Sequence, residues 1–171
     1  MDRPSDNFSG RDNQQERLQT IGWIVGFIDG EGCFSVSLHK NPTTKLGWQI
    51  MPEFVVTQGQ KSLKVLEKLQ SFFGCGRIFV NRRYDNHNEN LYRFCVRSFP
   101  DLKEKIVPFF QENKLQTAKS QDFEIFVKII IMMSEKKHLS SDGIKKIIEL
   151  ATTMNTKKRK QLFRESSETK R

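Results

Sequence analysis

Gly22, Gly26 and Gly30 stand four residues apart, in and just beyond the apolar run Ile21–Ile28. On a helix such positions lie one above another, so the three form a nearly bare stripe. A glycine in mid-helix costs about 1 kcal/mol relative to alanine. Close approach of a second helix backbone offsets that cost, as at small-xxx-small faces elsewhere. The pattern occurs once in the chain. The facing helix is therefore expected from a second, identical subunit across a two-fold axis. Val25 and Asp29 flank the stripe and belong to the same expected interface, with Asp29 first of all ordering the helix end.

The rest of the chain can be divided by periodicity and turn chemistry. Met1 to Asn13 mixes Pro, Ser, Gly, Asn and Asp and reads as a disordered arm. A helix is expected from about Gln14 to Asp29, ended by Gly30 and Gly32. Phe34, Val36 and Leu38 then alternate with Ser35, Ser37 and His39, the pattern of a half-buried strand. After the turn Asn41–Thr44, a second strand runs from Trp48 to Gln58 with Ile50, Phe54 and Val56 on its inner face. Leu63, Leu66, Leu69 and Phe73 recur at helical spacing, so Lys61–Phe73 is expected to be an amphipathic helix stopped by Gly74-Cys75-Gly76. Arg77–Asn81 and Leu91–Ser98 form a hairpin around a polar loop. On its second strand Tyr92, Phe94 and Val96 face inward.

Pro100 suits the first turn of a short helix that Pro108 ends or kinks. Helices over Thr117–Ser134 and Ser141–Met154 complete the order α-β-β-α-β-β-α-α-α. This is an α+β domain over residues 14–154. Its one four-stranded antiparallel sheet, built of two β-hairpins, is backed by helices.

Composition sets limits on partners and setting. The net charge is +9, but residues 155–171 hold seven basic and two acidic side chains, so this basic tail carries five of the nine. Global charge is therefore weaker testimony to a polyanionic partner than the arginines of the domain. The 14 phenylalanines supply a core and raise the prospect of an apolar subunit interface. Cys33, Cys75 and Cys95 are odd in number and lack metal-ligand spacing, which points to a reducing, intracellular setting such as a bacterial cytoplasm or organelle matrix. His39, His87 and His138 are scattered, and a zinc site is not expected. The apolar runs are too short to span a bilayer, and the polar N-terminus reads as neither a signal nor a transit peptide.

The outer face of the sheet carries the clearest binding signal. Arg77, Arg93 and Arg97 project there with Asn81, beside Gln49, Ser35, Ser37 and His39. Arginine and glutamine suit guanine and adenine edges in the major groove of DNA, and a small sheet fits that groove. Met51, Val55 and Phe79 suit thymine methyl groups; Glu53 and Thr57 share the face. Arg82 and Arg83 in the hairpin loop extend it.

The stretch Ile24-Val25-Gly26-Phe27-Ile28-Asp29-Gly30-Glu31-Gly32 resembles the LAGLIDADG signature, with Glu31 where that name has aspartate. The strand–strand–helix–strand–strand order after it is similar to that of the LAGLIDADG homing endonucleases. The resemblance implies a homodimeric, Mg²⁺- or Mn²⁺-dependent enzyme that makes a double-strand break in a long, nearly palindromic DNA site. It implies Glu31 as the metal-binding carboxylate. Gln58, in Val56-Thr57-Gln58, takes the place of a glutamine near active-site waters, and Lys119, in Ala118-Lys119-Ser120, matches the active-site lysine. Relatives carry an arginine at the start of the second helix; here Lys61 beside Ser62 is taken in its place. The alternative is a non-cutting binder of the same fold, either a maturase acting on intron RNA or a DNA regulator.

Overall fold

Helix α1, Phe8–Glu31, runs straight into strand β1, Gly32–Lys40. The computed structural model describes residues 8–81 and 90–154; the expectations for Arg82, Arg83, His87 and residues 155–171 fall outside them. Two boundaries of α1 differ from the sequence reading. The helix starts at Phe8, ahead of the expected Gln14. Ser9, Gly10 and Asn13 are weak helix formers, but extending a nucleated helix gains a hydrogen bond for each residue fixed. At the other end α1 continues through Gly30 to Glu31, placing the carboxylate on the last turn rather than beyond it. Gly32 then makes the change of direction. A Cβ there would lie 2.6 Å from Ile28 Cγ2 and 2.8 Å from the Ile28 carbonyl oxygen.

Strands β2 (Trp48–Gly59), β3 (Arg77–Asn81) and β4 (Leu91–Val96) join β1 in one sheet of order β1-β2-β4-β3. Every pair is antiparallel. The register sets Phe34 opposite Phe54, and Phe54 opposite Val96, so the alternation in the sequence becomes one continuous apolar face. Phe34 is the hub of the core. Its ring centroid lies 5.0 Å from those of Phe54 and Phe123, 5.4 Å from Phe126 and 5.5 Å from Phe110. Offset and tilted rings at these distances add to the burial of their area. Many of the phenylalanines are thus core residues.

Helix α2, Leu63–Phe73, buries Leu66, Leu69 and Phe73 on the sheet and stops at Gly74, whose left-handed backbone (φ 57°) is the usual glycine ending. Its expected first turn is a 3₁₀ turn, Gln60–Ser62. Pro108 does not end a helix. Helices α3 (Phe99–Asp101) and α4 (Val107–Glu112) are continuous through a π turn, Leu102–Ile106. In that turn the Val107 N–H reaches back to the Leu102 carbonyl, widening the helix just ahead of the proline ring. Helix α5, Lys119–Ser134, and helix α6, Ser141–Thr153, close over the same core. Among the described residues no helix is long and apolar enough to cross a membrane.

Candidate functional site

The C-terminal end of α1 is held from α5, 91 positions along the chain. Lys119 Nζ donates to the carbonyl oxygens of Ile28 at 2.9 Å and Gly30 at 3.2 Å, and to that of Gly32. An ammonium has three protons, and here there are three carbonyl acceptors at the negative end of the α1 dipole. At the start of its own helix a lysine is electrostatically misplaced. Set against the end of another helix, it is well placed. Burial lowers the Lys119 pKa, opposed by the nearby Cys33, Asp29, Glu31 and Asp122.

Asp29 is engaged by the segment that enters α5. Its carboxylate accepts from the backbone N–H of Gln116 at 2.6 Å, the N–H of Thr117 at 3.2 Å and the Thr117 hydroxyl at 2.8 Å. Burial works against its charge, but these donors, together with Lys119, hold its pKa below the ordinary value. Asp29 thus orders the helix end, as its place in the sequence suggests. Glu31, two residues on, is exposed, and its Oε2 accepts from Gln58 Nε2 at 3.1 Å. The structure therefore brings Glu31, Gln58 and Lys119 together around one helix end. Lys61, three residues past Gln58, is exposed in the 3₁₀ turn after β2.

From Glu31 a groove of about 810 Å³ extends along the outer face of the sheet, past Ser35, Glu53, Thr57 and Arg93 to Asn81. The register places the expected outer residues of all four strands on this one face, with His39 opposite Gln49, Ser37 opposite Met51 and Phe79 opposite Arg93. Val55 pairs with Cys95, and Cys95 with Arg77. Arg93 Nη2 lies 3.2 Å from Glu53 Oε1, and Arg97 Nε bonds Glu53 Oε2. Arg93 stands opposite Thr57, so to reach Glu53 it must cross the Val55–Cys95 pair. Both of these outer-face residues are buried, at 8% and 4% exposure. Burial pushes the Cys95 thiol up, helped by Glu53 and opposed by Arg93 and Arg97.

The glycine stripe is open. Gly22, Gly26 and Gly30 are exposed, and among the described residues a Cβ on any of them would meet nothing within 4 Å. Leu18, four residues before Gly22 on the same stripe, is 60% exposed. On the opposite side of α1, Ile24 and Ile28 are fully buried.

The model of the LAGLIDADG endonuclease family matches residues 24–130. The chain belongs to the LAGLIDADG endonuclease family. It is similar over its fold to the homing endonuclease I-TnaI, with 41% identity, a TM-score of 0.73, and coverage of 86% of this chain and 96% of that one. It is also similar to I-SmaMI bound to an uncleaved DNA target with calcium ions, at 36% identity and a TM-score of 0.71, covering 78% of this chain but 44% of that one. Probable intron-encoded endonuclease 2 of Neurospora crassa is 32% identical over 133 residues, covering 78% of this chain and 28% of its own length. The chain thus spans well under half of that curated relative, and all but a few per cent of I-TnaI.

Within this LAGLIDADG chain, sequence reasoning missed two arrangements. The donors to Asp29 come from Gln116 and Thr117, which lie far away in sequence; a threonine just ahead of a helix was their only local signal. Glu53 was read as one more outer residue, whereas it joins two arginines. A carboxylate on a face that otherwise collects arginines was the signal for that.

Proposed function

We propose that the chain is a site-specific homing endonuclease, cutting both strands of a long, nearly palindromic DNA site as a homodimer. The observation that carries this reading is the position of Glu31. It is an exposed carboxylate on the last turn of α1, at one end of a groove whose floor is an arginine-bearing sheet. The open glycine stripe on the same helix supports pairing two such ends about a two-fold axis.

Glu31 from each subunit would hold Mg²⁺ or Mn²⁺. The donor set fits: Asp29 is engaged elsewhere, and Mg²⁺ sites commonly use one or two carboxylates completed by phosphate oxygens and water. Among the described residues there is no group of three or more His, Cys, Asp or Glu poised around a point, which accords with a site shared between subunits and substrate. When bound, such a metal stabilises the attacking and leaving oxygens of phosphodiester hydrolysis. Gln58 orients Glu31 with one amide proton and keeps its other donor and its carbonyl for water. Lys119 fixes the last turn of α1, and so fixes Glu31, while placing a positive charge beside the groove.

Selection of cleaved sites from a randomised DNA library, with Mg²⁺ and with chelator, tests the proposal. The expected result is one long, nearly palindromic consensus, recovered only with the metal. Enrichment by binding without cutting at any metal concentration would instead make the protein a non-cutting binder.

A further inference from the structure

We infer that Glu53 sets DNA sequence specificity by positioning Arg93 and Arg97 on the outer face of the sheet, rather than by touching a base itself. The inference rests on the DNA-cutting role proposed above. A carboxylate on a surface that meets phosphates is unfavourable unless it is neutralised or put to use. Here it lies beneath two cations. The Glu53 side chain is 16% exposed, against 38% for Arg93 and 50% for Arg97. The carboxylate is therefore the floor of the triad, and the guanidinium groups are its roof. As a unit they present one net positive charge to DNA.

The geometry also restricts each arginine. Val96 pairs with Phe54, so Arg97 follows β4 directly beside Glu53 and meets it through Nε, on the stem side of the guanidinium. The same guanidinium carbon lies 5.8 Å from the Phe79 ring centroid. An anion on one side and an aromatic face on another hold a planar fork in one orientation. Arg93 crosses the buried Val55–Cys95 pair to reach the other carboxylate oxygen. Both side chains have many rotamers when free, and ordering them before DNA arrives removes part of the cost of ordering them on binding. Bidentate reading of guanine depends on such orientation, whereas phosphate attraction does not.

The test is base-preference profiling of the wild type with Glu53→Gln, Arg93→Ala, Arg97→Ala and the double variant Glu53→Gln/Arg97→Ala. Affinity for random-sequence DNA is measured in parallel. Glutamine keeps the shape but has one acceptor oxygen for two arginines. Glu53→Gln is expected to bind random DNA at least as tightly as the wild type, since a negative charge has gone. It is also expected to lose roughly ten-fold in preference at the base pairs that the arginine variants relax. At the Arg97 base pair the double variant should be no worse than Arg97→Ala alone. An unchanged profile in Glu53→Gln overturns the inference and leaves the endonuclease reading intact. So does relaxation confined to a base pair that neither arginine variant affects, since Glu53 would then read a base itself. A wild type with no preferred site would remove both.

Discussion

Asp29 and Glu31 are two positions apart on the same helix end, and their partners give them different roles. Asp29 satisfies three donors of the segment entering α5. Its pKa is depressed in the folded state, so its contribution to stability is complete above its unfolded pKa. That contribution is lost as pH falls through the lower, folded value. Asp29→Asn should cost about 1 kcal/mol at neutral pH, given the partial exposure of the site. The gap between wild type and variant should close below about pH 4, as followed by denaturant melts across pH. Glu31→Gln should behave differently. Its donor Gln58 lies on the exposed rim, so the substitution should leave stability within about 0.5 kcal/mol. Cutting should be abolished, while site affinity in Ca²⁺ stays within a few-fold. A variant that still cuts at near the wild-type rate would remove Glu31 from the mechanism. Lys119→Met leaves three carbonyls at the end of α1 without their cation. It should slow single-turnover cutting on the order of ten- to a hundred-fold and lower stability by about 1–3 kcal/mol. Loss of affinity with an unchanged bound-state rate would make Lys119 a DNA-docking residue instead.

The elements show which parts of the fold were legible in the sequence. The strands were, because alternation such as Phe34-Ser35-Val36-Ser37 encodes a face directly, and the expected outer positions of the four strands fall on one side. Helix α2 was legible for the same reason, at a different period, through Leu63, Leu66, Leu69 and Phe73. The ends of α1 were not. Its last turn is held by Lys119, and no local signal marks a carbonyl cap supplied from another helix. Nor was the passage through Pro108 legible, because a π turn is a response to packing rather than to composition. In the site, residue types at the helix end were visible from the motif, whereas the Arg93–Glu53–Arg97 triad depends on the pairing of β2 with β4. The junction between α1 and β1 gives a test at this scale. Gly32→Ala places a methyl group 2.6 Å from Ile28 Cγ2 and 2.8 Å from the Ile28 carbonyl, so the helix end must shift. A loss of about 1–3 kcal/mol in thermal or chemical melts is expected, with a fall in cutting larger than the fall in DNA affinity. A fully stable, fully active Gly32→Ala protein would mean that the junction is looser than it looks.

As a whole molecule, the chain has one α1 and one Glu31, while the proposed double-strand break requires two strands to be cut. In the proposed homodimer two chains pair through the exposed stripe of Leu18, Gly22, Gly26 and Gly30. Gly26→Leu favours an isolated helix, since leucine has the higher helical propensity. No Cβ contact among the described residues opposes it. Any damage must therefore come from the lost approach of a second α1. The variant should keep its circular dichroism, yet fail to assemble or to cut. Sedimentation of wild type and Gly26→Leu on a duplex bearing the selected site, at micromolar protein with Ca²⁺, measures the assembly directly. Two wild-type chains per duplex, reduced to one or none in Gly26→Leu, is the predicted result. A single wild-type chain on a duplex that it cuts through both strands would contradict the shared-site account.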